Sequence, residues 1–240
     1  MVGLDQLMRL VEAESEIAWR DSLFDLASGL GFDSVLFGIA ESKHTRLESS
    51  FVRSNYSEEW REHYNSHQLF YVDPTVTHCM GSLLPLVWSP QIFQAPNQRE
   101  LYEEASSFGL RSGISFPIHG ANGEVGLLSF SARERPGKRF DRQVSHHMAD
   151  LSLVRDYAFQ SSLQFLGKRN ISEPAPQLSK RELEVFQLVL DGNSSCEIGR
   201  IMHRTEATIN FHVSKIRQKF KVKTRQQAVV KGIALGILTP

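Results

Sequence analysis

SKRELEVFQLVLDGNSSCEIGRIMHRTEATINFHVSKIRQKF, residues 179–220, decides the fold of one end of this chain. Ser179 followed by Glu182 is a capping box, in which the Ser hydroxyl accepts from the third helical amide while the Glu carboxylate reaches back to the cap amide. Leu183, Phe186, Val189 and Leu190 then form a helical stripe, and Asp191-Gly192 ends it. Ser194 with Glu197 opens a second, short helix whose expected inner face is Ile198, Ile201 and Met202. His203-Arg204-Thr205 turns the chain, with Thr205 as the next cap. The helix that follows, to about Phe220, places Ile209, Val213, Ile216 and Phe220 on one side. Beyond it, Thr224 and Gln227 make a third box, opening a last helix with Val229, Val230, Ile233 and Ala234.

A short helix joined by a tight turn to a longer one is the helix-turn-helix arrangement, whose longer helix enters the major groove of double-stranded DNA. The face away from the buried stripe shows Asn210, Phe211, Ser214 and Arg217, with Thr208 and Lys215 beside them. Asn bonds adenine in a bidentate manner, an aromatic ring touches the thymine methyl, and Arg bonds guanine or phosphate. Lys215, Lys219, Lys221 and Lys223 suit phosphates. A four-helix packing module with a solvated basic face fits the same pattern.

Charge separates this end from the rest. The chain has 240 residues and no net charge, yet residues 178–240 hold 11 basic and five acidic side chains, against 16 and 22 before them. A basic module behind an acidic one points to a polyanionic partner for one part only. Between them, GKRNISEPAPQL (167–178) is polar, carries Pro174 and Pro176, and reads as a linker. The expected domains are residues 1–168, a linker at 169–178, and an all-α helix-turn-helix domain at 179–240. Two distant cysteines, Cys79 and Cys196, exclude a disulfide framework. No stretch reaches the length of a membrane span, and the N-terminus reads as an amphipathic helix with Leu4, Leu7, Met8 and Val11 on one side rather than a secretory signal. A cytoplasmic protein without membrane contact is expected.

In the first 168 residues, helices are expected near 4–14, 18–30, 57–65, 73–81, 97–108 and 141–165, and strands near 34–40, 49–53, 113–119 and 124–131. Asn122-Gly123 marks a hairpin turn between the last two strands. This ratio suggests an α+β unit, an α/β/α sandwich with a mainly antiparallel sheet. Tyr56, Trp60 and Tyr64 at i, i+4 and i+8 would share a helix face; aromatics so spaced usually belong to a core, but buried Tyr and Trp also want polar partners. Asp73 in VDPTV has two readings: a helix cap with Pro74 at the first helical position, or a ligand contact. His63 and His67, four apart, lack a third metal ligand of convincing spacing, and a solvated helix face is the simpler reading. No phosphate loop, dinucleotide fingerprint or nucleophile elbow is present.

Residues 178–236 resemble the LuxR-family DNA-binding domain, through RELEV in the first helix, SSCEIG at the second, AT-I-N-F-H and I-x-x-KF in the third, and T-R-Q-x-A at the fourth. The run NYSEEWREHYNSHQLFYVDPTVTHCMGSLLPLVW, then EEASSFGLRSGISFPIHGANGEVGLLSFS, resembles the acyl-homoserine-lactone-binding domain of LuxR-type quorum-sensing receptors, the LasR-like ones in particular. Trp60, Tyr64, Asp73, Pro74, Trp88 and Gly113 carry that likeness.

The resemblance implies a ligand-dependent transcription regulator, not an enzyme. Its ligand would be an N-acyl-homoserine lactone, with no cofactor and no metal. A homodimer would bind a two-fold-symmetric DNA site, with RNA polymerase as a further partner. It implies Trp60 to the lactone carbonyl, Asp73 to the amide N–H, and Tyr56 and Ser129, with Thr75 nearby, to the acyl carbonyl. Leu36, Val52, Tyr64, Val76, Trp88, Leu110 and Leu127 would line the tail. Asn210, Phe211 and Ser214 would read DNA. Segment 41–50 is the weakest match. Phe93 stands where Tyr is common and Leu127 where a small residue is common; both bear on chain length and the 3-position substituent. A non-catalytic partner that sequesters other receptors as heterodimers, and a lactone-processing enzyme, are the competing functions; no nucleophile–base pair supports the latter.

Overall fold

The computed structural model describes residues 2–166, 176–234 and 237–238. Residues 169–175 of the expected linker lie outside the described residues. The chain divides into two compact units, 1–167 and 168–240.

The first unit runs α1 (Leu4–Val11), α2 (Glu16–Gly29), β1 (Ser34–Ala40), β2 (Phe51–Ser54), α3 (Glu58–Ser66), α4 (Pro74–Gly81), β3 (Leu86–Val87), α5 (Pro96–Ser107), β4 (Ser112–His119), β5 (Val125–Ala132) and α6 (Lys138–Ser162). The sheet is antiparallel throughout, in the order β2-β1-β5-β4-β3. Strand side chains alternate between faces. One face, carrying Val35, Phe37, Ile39, Ile114, Phe116, Ile118, Leu128 and Phe130, packs on α1, α2 and α6. Trp19 anchors this core: its ring meets Phe37 edge-on at 5.1 Å, and its indole N–H donates to Ser161 Oγ at 2.8 Å. The opposite face looks towards α3, α4 and α5. The unit is therefore the expected α/β/α sandwich.

Three local expectations are corrected. Helix α1 buries Leu7 and Leu10 against α6 and leaves Leu4 and Val11 exposed, so its inner face turns towards Leu10, which the expected stripe of Leu4, Leu7, Met8 and Val11 left out. The β4–β5 turn spans Gly120–Glu124, closed by Gly120 N–H donating to the Glu124 carbonyl at 2.8 Å, and only Gly123 takes positive φ. Strand β3, two residues long, is too short to leave a period in the sequence.

The second unit contains α7 (Lys180–Leu190), α8 (Ser195–Ile201), α9 (Glu206–Phe220) and α10 (Arg225–Ala234). Ser179, Ser194, Thr205 and Thr224 each accept from the backbone N–H three residues on. The reciprocal bonds of Glu182, Glu197 and Gln227 are all formed, at 2.7, 2.7 and 3.1 Å. The turn into α9 presses on Gly199, where a Cβ would lie 2.8 Å from the Arg204 carbonyl oxygen.

The inner faces differ in part from the expected stripes. Val185, Phe186, Val189, Ile198, Ile209, Ile216, Phe220 and Ala228 are buried, whereas Leu183, Ile201, Val230 and Ile233 are exposed. Glu182 takes the place that Leu183 would have had. Its carboxylate accepts from Lys219 Nζ at 2.6 Å, and the same ammonium donates to the Gln177 carbonyl. Lys219 is thus an internal ion-pair partner rather than a phosphate contact.

Burial pushes the Glu182 carboxyl up, but Lys219 and the Ser179 amide and hydroxyl outweigh it and hold it below its ordinary 4.5. A lowered carboxyl contributes stability above its unfolded value and loses it as pH falls towards the folded one. The α7–α9 unit is therefore expected to lose stability as pH drops below 4.5. Glu182→Gln should flatten that acid limb in pH-dependent thermal melts of the full chain; an unchanged limb would remove Glu182 from the account.

Candidate functional site

Between the sheet and α3–α5 lies a cavity of about 730 Å³. Its wall includes Leu36, Val52, Tyr56, Trp60, Tyr64, Asp73, Thr75, Val76, Trp88, Leu110, Leu127 and Ser129. The structure thus brings together every residue that the sequence proposed for a small-molecule site. The strand alternation explains how: Leu36, Val52, Leu127 and Ser129 occupy the sheet face opposite the core.

Of its two readings, the helix cap is formed, and the Asp73 side chain also lines the cavity. Its Oδ1 accepts from the Thr75 amide at 2.8 Å, capping α4 with Pro74 at the first helical position. The same oxygen accepts from the Thr75 hydroxyl at 2.7 Å, and Oδ2 accepts from the Tyr64 hydroxyl at 2.9 Å. Burial pushes the Asp73 carboxyl above its ordinary range, against these donors, which pull it down. The phenols of Tyr56 and Tyr64 are raised by the same burial, and the Asp73 charge adds to both. Both are neutral donors at physiological pH.

One expected donor, Ser129, is already engaged. Trp88 Nε1 donates to Ser115 Oγ at 2.9 Å, and Ser115 and Ser129 share a hydrogen bond of 2.7 Å. The Trp88 ring lies on Gly113, where a Cβ would come within 2.5 Å of it. Trp88 is therefore wall, fixed from behind, and Thr75 is an orienting group for Asp73. The Trp60 indole N–H, in contrast, takes no partner among the described residues, and the ring is held by Tyr64 and Phe108 at 5.7 and 5.3 Å. Tyr56 lies ahead of the Ser57 cap, outside α3, so it does not share a helix face with Trp60 and Tyr64; it reaches the same cavity from the incoming strand.

The sequence reading missed several wall residues. Leu47, Glu48 and Ser50 come from the segment that matched the family least, and Gly38, Ser54, Arg53 and Met80 complete neighbouring parts of the wall. Ser54 and Gly38 follow from register, since Leu36 pairs with Ser54 and Gly38 with Val52. No local signal marks the 41–50 segment. His63 bonds Glu104 at 3.0 Å and stacks on His67 at 4.4 Å.

On the second unit, α9 exposes Asn210, Phe211 and Lys215, with Thr208 and Ser214 half-buried beside them. The side chains of Asn210 and Ser214 take no hydrogen-bond partner among the described residues. Lys215 Nζ sits over the Phe211 ring at 5.6 Å. Thr208 Oγ1 bonds the Thr205 hydroxyl at 2.9 Å, inside the helix cap. Arg217 turns away from the exposed face: its Nη1 donates to the Lys223 carbonyl at 3.0 Å, tying α9 to the start of α10.

Comparison with known proteins agrees with both halves. Residues 15–162 match the autoinducer binding domain family, and residues 176–231 match the bacterial regulatory proteins of the luxR family. The transcriptional activator VanR of Vibrio anguillarum is 27% identical over 98% of each chain. LuxR of Aliivibrio fischeri, also a transcriptional activator, is 30% identical over 81% of this chain and 78% of its own. The crystal structure of Escherichia coli SdiA shares the fold over 98% of this chain and 97% of its own, with a TM-score of 0.67 at 23% identity. The Burkholderia cenocepacia regulator CepR2, described as N-acylhomoserine lactone dependent, covers 68% of this chain and 95% of its own at a TM-score of 0.59 and 22% identity. With an autoinducer-binding sandwich ahead of a capped helix-turn-helix module, the chain belongs to the LuxR family of bacterial transcription regulators.

Proposed function

We propose that an N-acyl-homoserine lactone fills the cavity of the first unit and that the ligand-bound protein acts as a homodimer on a two-fold-symmetric promoter site. The observation that carries the ligand class is the polar set around Asp73. The lactone head offers one N–H donor and at least two carbonyl acceptors, so it needs one acceptor and several donors. Asp73 accepts from the amide, Trp60 donates to the lactone carbonyl, and Tyr56 and Ser129 donate to the acyl carbonyl. Thr75 and Tyr64 hold the Asp73 carboxylate in place. Leu36, Val52, Val76, Leu110 and Leu127 contact the tail, each buried methylene contributing about 0.8 kcal/mol.

Ligand that binds only the folded state stabilises it, by about 2.7 kcal/mol at a hundred times Kd. Thermal midpoints of the full chain measured with a panel of acyl-homoserine lactones should therefore rise and peak at one medium-to-long chain length. A monoacylglycerol belongs in the same panel, because SdiA has been solved in complex with octanoyl-rac-glycerol. A rise with the glyceride and none with any lactone would replace the ligand class while keeping the cavity.

On DNA, Asn210, Phe211 and Ser214 read base edges, Lys215 neutralises phosphate, and Thr208 and Arg217 hold the ends of the reading helix. RNA polymerase is the partner of the DNA-bound dimer. Asn210→Ala should cost about 1–3 kcal/mol on the specific site and little on random DNA, while Lys215→Ala should weaken both alike and reduce the salt slope by about one. Binding titrations on the two DNAs at several salt concentrations test this; equal losses for Asn210→Ala remove it from base reading.

A further inference from the structure

A second pocket, of about 750 Å³, opens on the surface of the first unit. Trp88 and Tyr102 line both this pocket and the cavity described above, so the two spaces share one partition. The rest of the second wall comes from the segment after β3, from α5, and from residues 133–137, which link β5 to α6.

Strand pairing brings two cations to this pocket. The Arg111 N–H donates to the Ala132 carbonyl at 3.3 Å, and Ser112 Oγ donates to the Glu134 carbonyl at 2.9 Å. The start of β4 is thereby fastened to the residues just beyond β5, and Arg111 and Arg135 reach the same wall. Both are exposed, and neither guanidinium meets a carboxylate among the described residues. Arg111 Nε donates to the Ser106 carbonyl at 3.3 Å, and Arg135 takes no partner there. One carboxylate of the wall, Asp141, stands against them. Glu134, beside Arg135 in the chain, is paired with Arg139 at 3.2 Å. Gly137, also in the wall, gives the 25-residue α6 no side-chain cap, so the positive end of that helix adds to the arginines. Rings make up the apolar part: Trp88, Tyr102, Pro90 and Pro136. Guanidinium groups bind carboxylates and stack on flat rings, and flat apolar walls suit an aromatic body.

We infer that this pocket is a second ligand site, that it takes a small aromatic carboxylate, and that its occupant acts on the lactone cavity through Trp88 and Tyr102. The site stands without the lactone reading; the coupling rests on it. Tyr102 is the connecting group. Its hydroxyl donates to the Arg111 carbonyl at 2.8 Å, and its ring stacks at 4.8 Å on Phe93, which lines the cavity. An anion held by Arg111 and Arg135 fixes that contact and stiffens the partition. Lactone then binds more tightly, and by reciprocity lactone tightens the second ligand.

The test titrates the full chain, saturated with one medium-chain acyl-homoserine lactone, with 2-naphthoate, 2-naphthalenemethanol and 2-naphthylmethylamine. These probes share a body and differ in the charge of the head. Naphthoate should bind at least about 5-fold more tightly than the alcohol, the upper worth of an exposed ion pair, and the amine should bind more weakly still. R111A and R135A should each weaken naphthoate about 5-fold on the same ground, while lactone affinity measured without naphthoate stays unchanged. Saturating naphthoate should tighten lactone binding about 5-fold in wild type and leave the double variant unaffected. Equal binding of the three probes, naphthoate binding unmoved by both substitutions, or its displacement by lactone would overturn the second site. A lactone dissociation constant indifferent to bound naphthoate would overturn the coupling. Absence of binding by every lactone would instead overturn the ligand class, and naphthoate titrations of the lactone-free wild type and arginine variants would still decide the site. Thermal midpoints of the variants verify folding.

Discussion

Asp73→Asn is expected to leave the ligand-free protein as stable as wild type, or slightly more so, while lowering lactone affinity about 10- to 100-fold, the range of a hydrogen bond to a charged group. The asymmetry follows from what the carboxylate does. Asn retains an oxygen for the Thr75 amide, so α4 keeps its cap, and Tyr64 can accept where it had donated. Burial holds the Asp73 carboxyl above its usual value. A raised carboxyl costs stability at neutral pH, and the cost fades as pH falls through the raised value and the group takes up a proton. Asn removes that cost. Towards the ligand amide N–H, however, a neutral amide is a weaker acceptor, and it meets the ligand with a donor whenever its own N–H₂ faces the cavity. Melting curves with and without lactone separate the two effects. A mutant that loses ligand-free stability but keeps its ligand-induced rise would limit Asp73 to the role of a helix cap. Asp73→Ala removes cap and acceptor together and should add about 1 kcal/mol of destabilisation.

Gly113→Val should have the second large effect. A Cβ on residue 113 would lie 2.5 Å from Trp88 Cε3, and two further atoms of that ring fall within 2.8 Å. The indole cannot yield locally, because its N–H is bonded to Ser115 and its backbone N–H donates to the Gly113 carbonyl at 2.7 Å. The substitution must therefore drive Trp88 into the cavity or part β3 from β4. Either route removes cavity volume and breaks the Trp88–Ser115–Ser129 chain that fixes the hydroxyl we propose for the ligand head. We expect loss of ligand-dependent stabilisation and of soluble yield, the usual result of overpacking a dense interior. Trp88→Ala in the same background should restore solubility in part, since it removes the clashing ring, without restoring affinity. If Gly113→Val bound lactone normally, the Trp88 wall would not limit the cavity.

The two halves of the chain differ in how much of them the sequence discloses. In the second unit each helix announces itself by a cap three residues from its partner, and all four caps form as read. Capping is local, so it is written locally. The buried faces were less legible: Leu183 gave way to Val185 and Glu182, because Lys219, 37 residues away in sequence, draws the carboxylate inward. For the same reason Lys219 and Arg217 had counted as DNA contacts. A cation on a basic helix looks available until the structure shows which carbonyl or carboxylate has taken it.

By itself the sequence determined the order of the helices and of every strand but β3, the helix-turn-helix and the residue types around the cavity, since periodicity, caps and a specific motif are carried by neighbours along the chain. Only the tertiary structure decided that Ser115 and Gly113 fix the Trp88 ring, that Thr75 orients Asp73, and that Ser50 and Ser54 face the same space as Ser129. A cavity has no sequence of its own. Its surface is assembled from β1, β2, β5, α3, α4 and α5, and which hydroxyl finds a partner there depends on distances across strands that no local spacing encodes.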